Sequence, residues 1–426
     1  MAGGGGTSGA GAETGTTHGG PLAYGGPLPL AGLRVVSVEQ YGAGPFGTMQ
    51  LADLGAEVIK IEPPDTGGPM PGDSSRHTGA HRLGENDSQF FQAHNRNKRS
   101  LALDLKSEAG REAFEKLVAT ADAVLNNLRG DQPGKLRIDH ASLKSIKPDI
   151  VCVHLSGYGR AGERARWPAY DYLLQAEAGF LAMTGEPDGP PTRMGLSIVD
   201  YTTGVTAALA LVSAVMGARA TGTGRDMDVS LYDTAMGLLT YPAAWVMNAG
   251  VDVPRRPRSG HPSHVPCELF PAADGEIFVM CVLPKFWEAF ATEIGLAGLI
   301  EDERFRTPKD RLANREALVA LIDPAMREAT VGAWMDRLKG RVPVAPVNDL
   351  HAALANPFFT GRGGAQEVAH PEKPDLALVA NAIRPDGRVL PARPGPGLGA
   401  DTDAILTELG YDEDAVAAMR RAGAVS

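Results

Sequence analysis

Asp171 stands in the stretch Trp167-Pro168-Ala169-Tyr170-Asp171-Tyr172-Leu173-Leu174-Gln175. It follows a proline and heads a run of small residues that reads as a helix. A carboxylate in that place has two physical uses. As a helix cap it accepts backbone N–H bonds, the ordinary role of a lone Asp there. As an ionised group at the mouth of a cleft it is a nucleophile able to form a covalent intermediate. A second pattern is Gly42-x-Gly44-x-x-Gly47, with Glu62 about 20 residues after the first glycine, the arrangement of a dinucleotide-binding turn and its ribose acid. Two details weaken that reading. Glu39, Gln40 and Tyr41 intervene between the apolar strand and the first glycine, and residues 48–54 give only about two turns of helix before Gly55. A nucleotide-like ligand at the helix N-terminus remains open. The third pattern is Asn95-Arg96-Asn97-Lys98-Arg99-Ser100, either a solvated edge or a phosphate seat. His77 and His81 lie in a Gly- and Pro-rich loop and read as solvated side chains, not as a metal pair.

Composition narrows the field. The chain has 426 residues, enough for two domains. Its 43% hydrophobic content is that of a folded globular protein. A net charge of −10 argues against a nucleic-acid surface, which needs clustered Lys and Arg. The three cysteines, Cys152, Cys267 and Cys281, sit in apolar runs without CxxC spacing. They read as reduced core residues of a cytoplasmic protein, with no metal site. The longest apolar stretch, residues 205–218, is shorter than the ~20 residues a bilayer requires, so no membrane span is expected. No secretory signal is expected either.

The elements that must position these groups alternate. Leu33-Arg34-Val35-Val36-Ser37-Val38 and Glu57-Val58-Ile59-Lys60-Ile61-Glu62 read as strands around a short helix, a βαβ opening that predicts a parallel sheet. Strands are also expected at residues 101–105, 123–125, 150–155 and 226–231, and helices at 107–121, 139–146, 200–220 and 235–249. Asn127 and Ser156-Gly157 follow strand ends, and ligands of open α/β sheets bind beyond the carboxyl ends of strands. Residues 255–263 read as a mobile loop and residues 268–280 as a hairpin. Pro324 should kink or break a helix over 311–329. The fold class is therefore α/β: a Rossmann-like large domain of parallel strands with helices on both faces, plus a smaller α+β domain. The boundaries are residues 1–28, a disordered Gly-rich tail; 29–220, the first part of the large domain; 221–340, the small domain; and 341–426, returning to the large domain.

Taken together these residues resemble family III CoA-transferases, the group of formyl-CoA transferase and carnitine CoA-transferase. The stretches that carry the likeness begin with Pro29-Leu30-Ala31-Gly32-Leu33-Arg34-Val35, Gly42-Ala43-Gly44-Pro45 and Ala52-Asp53-Leu54-Gly55-Ala56-Glu57-Val58-Ile59-Lys60-Ile61-Glu62. They continue with the Asn95 to Ser100 turn, the Tyr170-Asp171 stretch, Thr221-Gly222-Thr223-Gly224-Arg225 and residues 400–410. The resemblance implies that Asp171 is the catalytic aspartate and that CoA is held near Tyr41, Ala43, Leu103, Lys106, Asn127 and Lys135, with Arg96 and Lys98 nearby. Gln40 reads as a substrate contact or a turn cap, and the backbone N–H groups of the Ser259-Gly260 turn as candidate oxyanion donors toward the substrate. The resemblance also implies a homodimer of two interlocked rings, with acyl-CoA and a carboxylic acid as small-molecule partners. No cofactor is expected to be tightly bound, CoA being a substrate.

Three departures bear on the acid substrate. Leu128 stands where some members have an aromatic residue, the Gly-run loop is not matched around Ser259-Gly260-His261-Pro262, and Gly399-Ala400-Asp401-Thr402 replaces Gly-Glu-His-Thr. The α-methylacyl-CoA racemase branch is similar too, but carries His before the aspartate matching Asp171, with a second acid downstream where Asp200 stands. Here that neighbour is Tyr170, and a phenol with pKa about 10 is a poor proton relay. The expected chemistry is attack of Asp171 on a thioester, through a mixed anhydride and an aspartyl-CoA thioester. Succinyl-CoA or another short acyl-CoA is the expected donor. A racemase-like isomerase, a dinucleotide-dependent oxidoreductase and a non-catalytic CoA-binding protein are the alternatives.

Overall fold

The computed structural model describes residues 24–426. The expected disordered tail therefore lies outside the described residues up to position 23. Its last part is ordered: the Tyr24 N–H donates to the Val389 carbonyl at 2.8 Å.

Six parallel strands form the large sheet: β1 (Arg34–Val38), β2 (Glu57–Glu62), β3 (Arg99–Ala102), β4 (Ala123–Asn126), β5 (Val151–Ser156) and β6 (Arg225–Ser230). Their order is β3-β2-β1-β4-β5-β6. The strands are apolar on both faces because helices cover both. In β1, Val35 joins one core layer and Val36 the other. The first layer lies under helices Ala43–Asp53, Ile198–Thr221 and Leu231–Leu238; the second under Glu108–Thr120 and the C-terminal helices Thr402–Glu408 and Glu413–Arg421. The expected α/β architecture is what the structure shows.

Helix Ile198–Thr221 has 24 residues and is long and apolar enough to cross a membrane, longer than the apolar run read from the sequence. In this fold it packs on β5, β6 and the Ala43 helix, burying Val199, Ala207, Leu211 and Ala214. Cys152, Cys267 and Cys281 are free and buried.

A separate core gathers Phe270, Ile277, Trp287, Phe290, Phe305, Leu318 and Trp334. It sits on an antiparallel sheet of β7 (Cys267–Pro271), β8 (Glu276–Met280) and β9 (Val344–Pro346). Because β9 pairs with β8, the chain does not leave this unit at residue 341. Pro324 neither kinks nor breaks its helix as expected, because it lies in the last turn of Arg315–Met326; the break falls instead at Asn314, between that helix and Pro308–Ala313. The loop expected to be mobile is tied down. Arg255 donates to the carbonyls of Gly189 and Pro190, and Arg258 pairs with Asp323. A hairpin of β10 (Ala365–His370) and β11 (Lys373–Val379) completes the chain's strands.

Candidate active site

The chain leaves β1 for β2 on one side, while β4 lies on the other. That reversal opens a crevice at the carboxyl ends of β1 and β4, where ligands of doubly wound sheets bind. A cleft of about 230 Å³ occupies it, lined among others by Gln40, Tyr41, Gly42, Ala43, Asn127 and Asp200. Asn127 fixes one wall: its Oδ1 accepts the Gln40 N–H at 2.9 Å and its Nδ2 donates to the Gln40 carbonyl at 2.6 Å. The next residue, Tyr41, adopts φ +67°, a left-handed backbone that costs a non-glycine residue energy and is kept only when its surroundings impose it. Asp73 imposes it, accepting the Tyr41 N–H at 3.0 Å.

The Gly42, Gly44 and Gly47 pattern has a packing explanation. Helix Ala43–Asp53 starts right after Gly42, so two of the three glycines are helical and no phosphate loop precedes the helix. A Cβ on Gly42 would lie 2.7 Å from Asp200 Oδ2, one on Gly44 3.0 Å from Asn127, and one on Gly47 2.4 Å from the Gly204 carbonyl. Glu62, the would-be ribose acid, is fully buried and accepts from Arg76 at 2.7 Å and Ser100 at 2.7 Å. It is not free to take a ribose.

Asp171 is the first residue of helix Asp171–Glu177, not its cap, and is 3% exposed. Its Oδ1 accepts from Gln175 Nε2 at 2.6 Å; its Oδ2 accepts from the backbone N–H of Val199 at 2.7 Å and of Asp200 at 2.9 Å. Those donors are the first turn of helix Ile198–Thr221, where an anion is favoured. Asp171 is thus held in one orientation, with a lone pair left on Oδ1. Asp200 lines the cleft. Among the described residues nothing donates a hydrogen bond to its carboxyl. Burial, with the charge of Asp171 behind it, pushes that carboxyl up to about 7, the kind of perturbation that marks functional groups.

The other expected ligand contacts divide. Gln40, Tyr41, Ala43 and Asn127 line the cleft. Arg96 does not: it is 4% exposed and forks onto Asp53 at 2.6–3.0 Å. Lys98 is spent inside on Glu39 Oε1 at 2.9 Å, Pro45 and Asn95. Neither is a phosphate seat, because each already has a buried counterion. Leu103 is a core side chain. Lys106 is exposed, and Lys135 pairs with Asp131, which also holds Arg129. Ser259 and Gly260 lie outside the cleft, in a turn braced by Arg315. Residues missed in the sequence as cleft lining are Arg129, Trp167 and Tyr170; Tyr170 is 66% exposed. Among the described residues no group of three or more His, Cys, Asp or Glu could hold a metal.

The model of CoA-transferase family III matches residues 30–402. The chain belongs to CoA-transferase family III. Such enzymes use CoA thioesters as substrates, and the protein is an enzyme of that transferase class. It is 35% identical over 353 residues to acetyl-CoA:oxalate CoA-transferase of Acetobacter aceti, covering 81% of this chain and 89% of that one. It is 30% identical over 403 residues to human succinyl-CoA:glutarate CoA-transferase, covering 93% and 90%. The solved CAIB/BAIF family protein from Brucella suis superposes with TM-score 0.77 at 32% identity, over 90% of this chain and all of that one. These similarities identify the family.

Proposed function

We propose that this family III protein moves CoA from an acyl-CoA donor to a carboxylic acid, with Asp171 as the nucleophile. One observation supports the assignment: the Asp171 carboxylate, between cleft-lining Tyr170 and cleft-lining Asp200, is oriented by the N–H groups of Val199 and Asp200 on Oδ2, while Oδ1 accepts a single bond and keeps a lone pair. Asp171 Oδ1 attacks the thioester carbonyl, the C–S bond breaks, and CoA thiolate leaves a mixed anhydride. The thiolate attacks the aspartyl carbonyl, the first acid departs as carboxylate, and an aspartyl-CoA thioester remains. The acceptor carboxylate attacks that thioester and releases thiolate again. Thiolate attack on the acceptor's carbonyl then yields the new acyl-CoA and frees Asp171. Atoms and electrons balance without a metal or redox cofactor, and every step exchanges carboxylates of similar leaving ability. The N–H groups of Ala43 and Gly44, in the first turn of their helix and without intrahelical acceptors, are the proposed oxyanion donors.

The acids are proposed from the relatives. Oxalate and glutarate, named for two of them, are dicarboxylates, so a short dicarboxylic acid and a short acyl-CoA are the first pair to assay. A racemase relay lacks its partner, since no histidine is among the cleft-lining residues described. We also propose the homodimer, because Leu209, Met216 and Met247 are 66%, 69% and 76% exposed along helices Ile198–Thr221 and Thr240–Ala249; light scattering should give twice the chain mass. The deciding experiment incubates the enzyme with acyl-CoA and hydroxylamine and maps the modified peptide. Modification at Asp171, and its loss with transfer in Asp171→Ala, is expected. Modification at Asp200, or transfer by Asp171→Ala, overturns the proposal.

A further inference from the structure

We infer that Asp200 is a second catalytic residue: its carboxyl O–H donates a hydrogen bond to the carbonyl oxygen of the acyl group while Asp171 attacks the carbonyl carbon. The inference rests on the reading of Asp171 as the nucleophile. Three observations place the group. The Asp200 N–H donates to Asp171 Oδ2 at 2.9 Å, so the Asp200 side chain leaves the backbone beside the attacking carboxylate. Its carboxyl lines the same cleft and engages no hydrogen-bond donor and no cation among the described residues. Its Oδ2 lies against Gly42, where an added Cβ would stand only 2.7 Å away. The Asp200 carboxyl and the first N–H groups of helix Ala43–Asp53 therefore meet at one end of the cleft. Gly42 has φ −108°, which any residue adopts, so the missing side chain there serves space and not backbone freedom.

The chemistry asks for a donor at that place and not for a base. Every nucleophile in the transfer is already an anion, a carboxylate or a thiolate, so no step removes a proton. Every step passes through a tetrahedral oxyanion, which donors aimed at it stabilise. An ionised Asp200 repels that oxyanion; a neutral one bonds it. The surroundings keep the proton in place. The N–H groups of Val199 and Asp200, which favour a carboxylate at a helix start, are taken by Asp171. Burial and the Asp171 charge push the Asp200 carboxyl up to about 7. The other titratable groups facing it are the phenols of Tyr41, on the turn ahead of the Ala43 helix, of Tyr170 and Tyr172 at the start of the Asp171 helix, and of Tyr201 on its own helix. The charged groups of the neighbouring elements are engaged elsewhere: Arg129 with Asp131, Glu39 with Lys98, and Asp233 with Ser230. As Asp171 Oδ1 bonds the carbonyl carbon, the negative charge passes to the carbonyl oxygen. It passes on to the sulfur when the C–S bond breaks. Asp200 keeps its proton throughout; it lends a hydrogen bond and transfers nothing.

The test compares wild type with Asp200→Asn and Asp200→Ala. An amide donates a hydrogen bond at every pH, and a methyl group never does. The readout is the single-turnover rate at which the Asp171 CoA thioester forms. It is followed by mass spectrometry at saturating acetyl-CoA or succinyl-CoA, whichever reacts faster, from pH 5.5 to 9. In wild type the rate is expected to fall about tenfold per pH unit above pH 7. In Asp200→Asn it stays within about tenfold of the wild type at pH 6 and loses that fall, because one donor is kept at every pH. In Asp200→Ala it is about a hundredfold below the wild type at pH 6, and equally flat. A wild-type rate that rises through pH 7, or an Asp200→Asn variant as slow as Asp200→Ala, overturns the inference. Formation of the thioester separates the two levels. Without it at Asp171 in wild type the functional reading fails; with it, but with Asp200→Ala as fast as wild type, only the role of Asp200 fails.

Discussion

A Cβ on Gly47 would lie 2.4 Å from the carbonyl oxygen of Gly204, and one on Gly204 would lie 2.4 Å from the carbonyl oxygen of Ala43. The contact is reciprocal, and it is where helix Ala43–Asp53 crosses helix Ile198–Thr221. Gly204 is one turn beyond Asp200, so the crossing sets how closely Gly42 and Ala43 approach the Asp200 carboxyl. Gly47→Ala must part the helices. We expect a loss of about 1–3 kcal/mol in denaturant unfolding and a larger proportional fall in transfer rate than in CoA affinity. Unchanged stability and rate would show that the crossing tolerates a methyl group.

That crossing also explains what was legible in the sequence. The glycine spacing was visible; its meaning was not, because the atoms that forbid a side chain belong to a helix far along the chain. The same holds for the basic turn. Arg96 and Lys98 look like a phosphate seat until Asp53 and Glu39, upstream on other elements, are seen to hold them. The parallel sheet could be read because each buried strand is apolar on both faces and alternates with helix. β9 could not, since Val344-Ala345-Pro346 looks the same whether it joins a parallel or an antiparallel sheet. Asp171 and Asp200 both start helices, and no local pattern says that the second helix points its N–H groups at the first carboxylate.

Glu39 is the hinge of a buried charge network under the cleft floor. It accepts from Lys98 at 2.9 Å and from Thr48 at 2.7 Å, and Lys60 lies 3.9 Å away while pairing with Asp73 at 2.8 Å. Burial pushes the Lys98 ammonium down to about 8, against the pull of Glu39. Glu39→Gln leaves that ammonium without its counterion, at a cost of about 3–5 kcal/mol. The sign with pH follows: the loss is full only below the variant's own, lower Lys98 pKa, shrinks as pH rises from there to about 8, and is smallest above 8, where Lys98 is neutral in both folds. Chemical denaturation at pH 7 and pH 9 measures this. A loss equal at both pH values would mean that Lys98 is not the group left stranded.

Tyr41 combines a strained backbone with an exposed ring that packs 5.0 Å from Phe90. Two truncations separate these. Tyr41→Ala and Tyr41→Gly lose the ring equally, but only Gly relieves the left-handed backbone. Tyr41→Gly should therefore be the more stable of the two by about 1–2 kcal/mol. Melting curves for the pair decide it, and equal stability would mean that the φ of +67° relaxes when the ring is gone.

Asp200 should make the folded protein less stable as pH rises. Its carboxyl titrates at about 7 in the fold, against about 3.9 in an unfolded chain. Below pH 4 both states hold the proton and the group contributes nothing. Between pH 4 and 7 the unfolded chain ionises while the fold resists, so stability falls through that window, by an upper bound of roughly 4 kcal/mol for about three pKa units. Most proteins gain stability over the same range as paired carboxylates ionise, so the isolated effect is read by difference. Asp200→Asn keeps the shape and removes the titration. Its melting temperature should match that of the wild type near pH 4 and exceed it by several degrees at pH 8. A difference that stays constant from pH 4 to 8 would show that Asp200 ionises in the fold as freely as in the open chain.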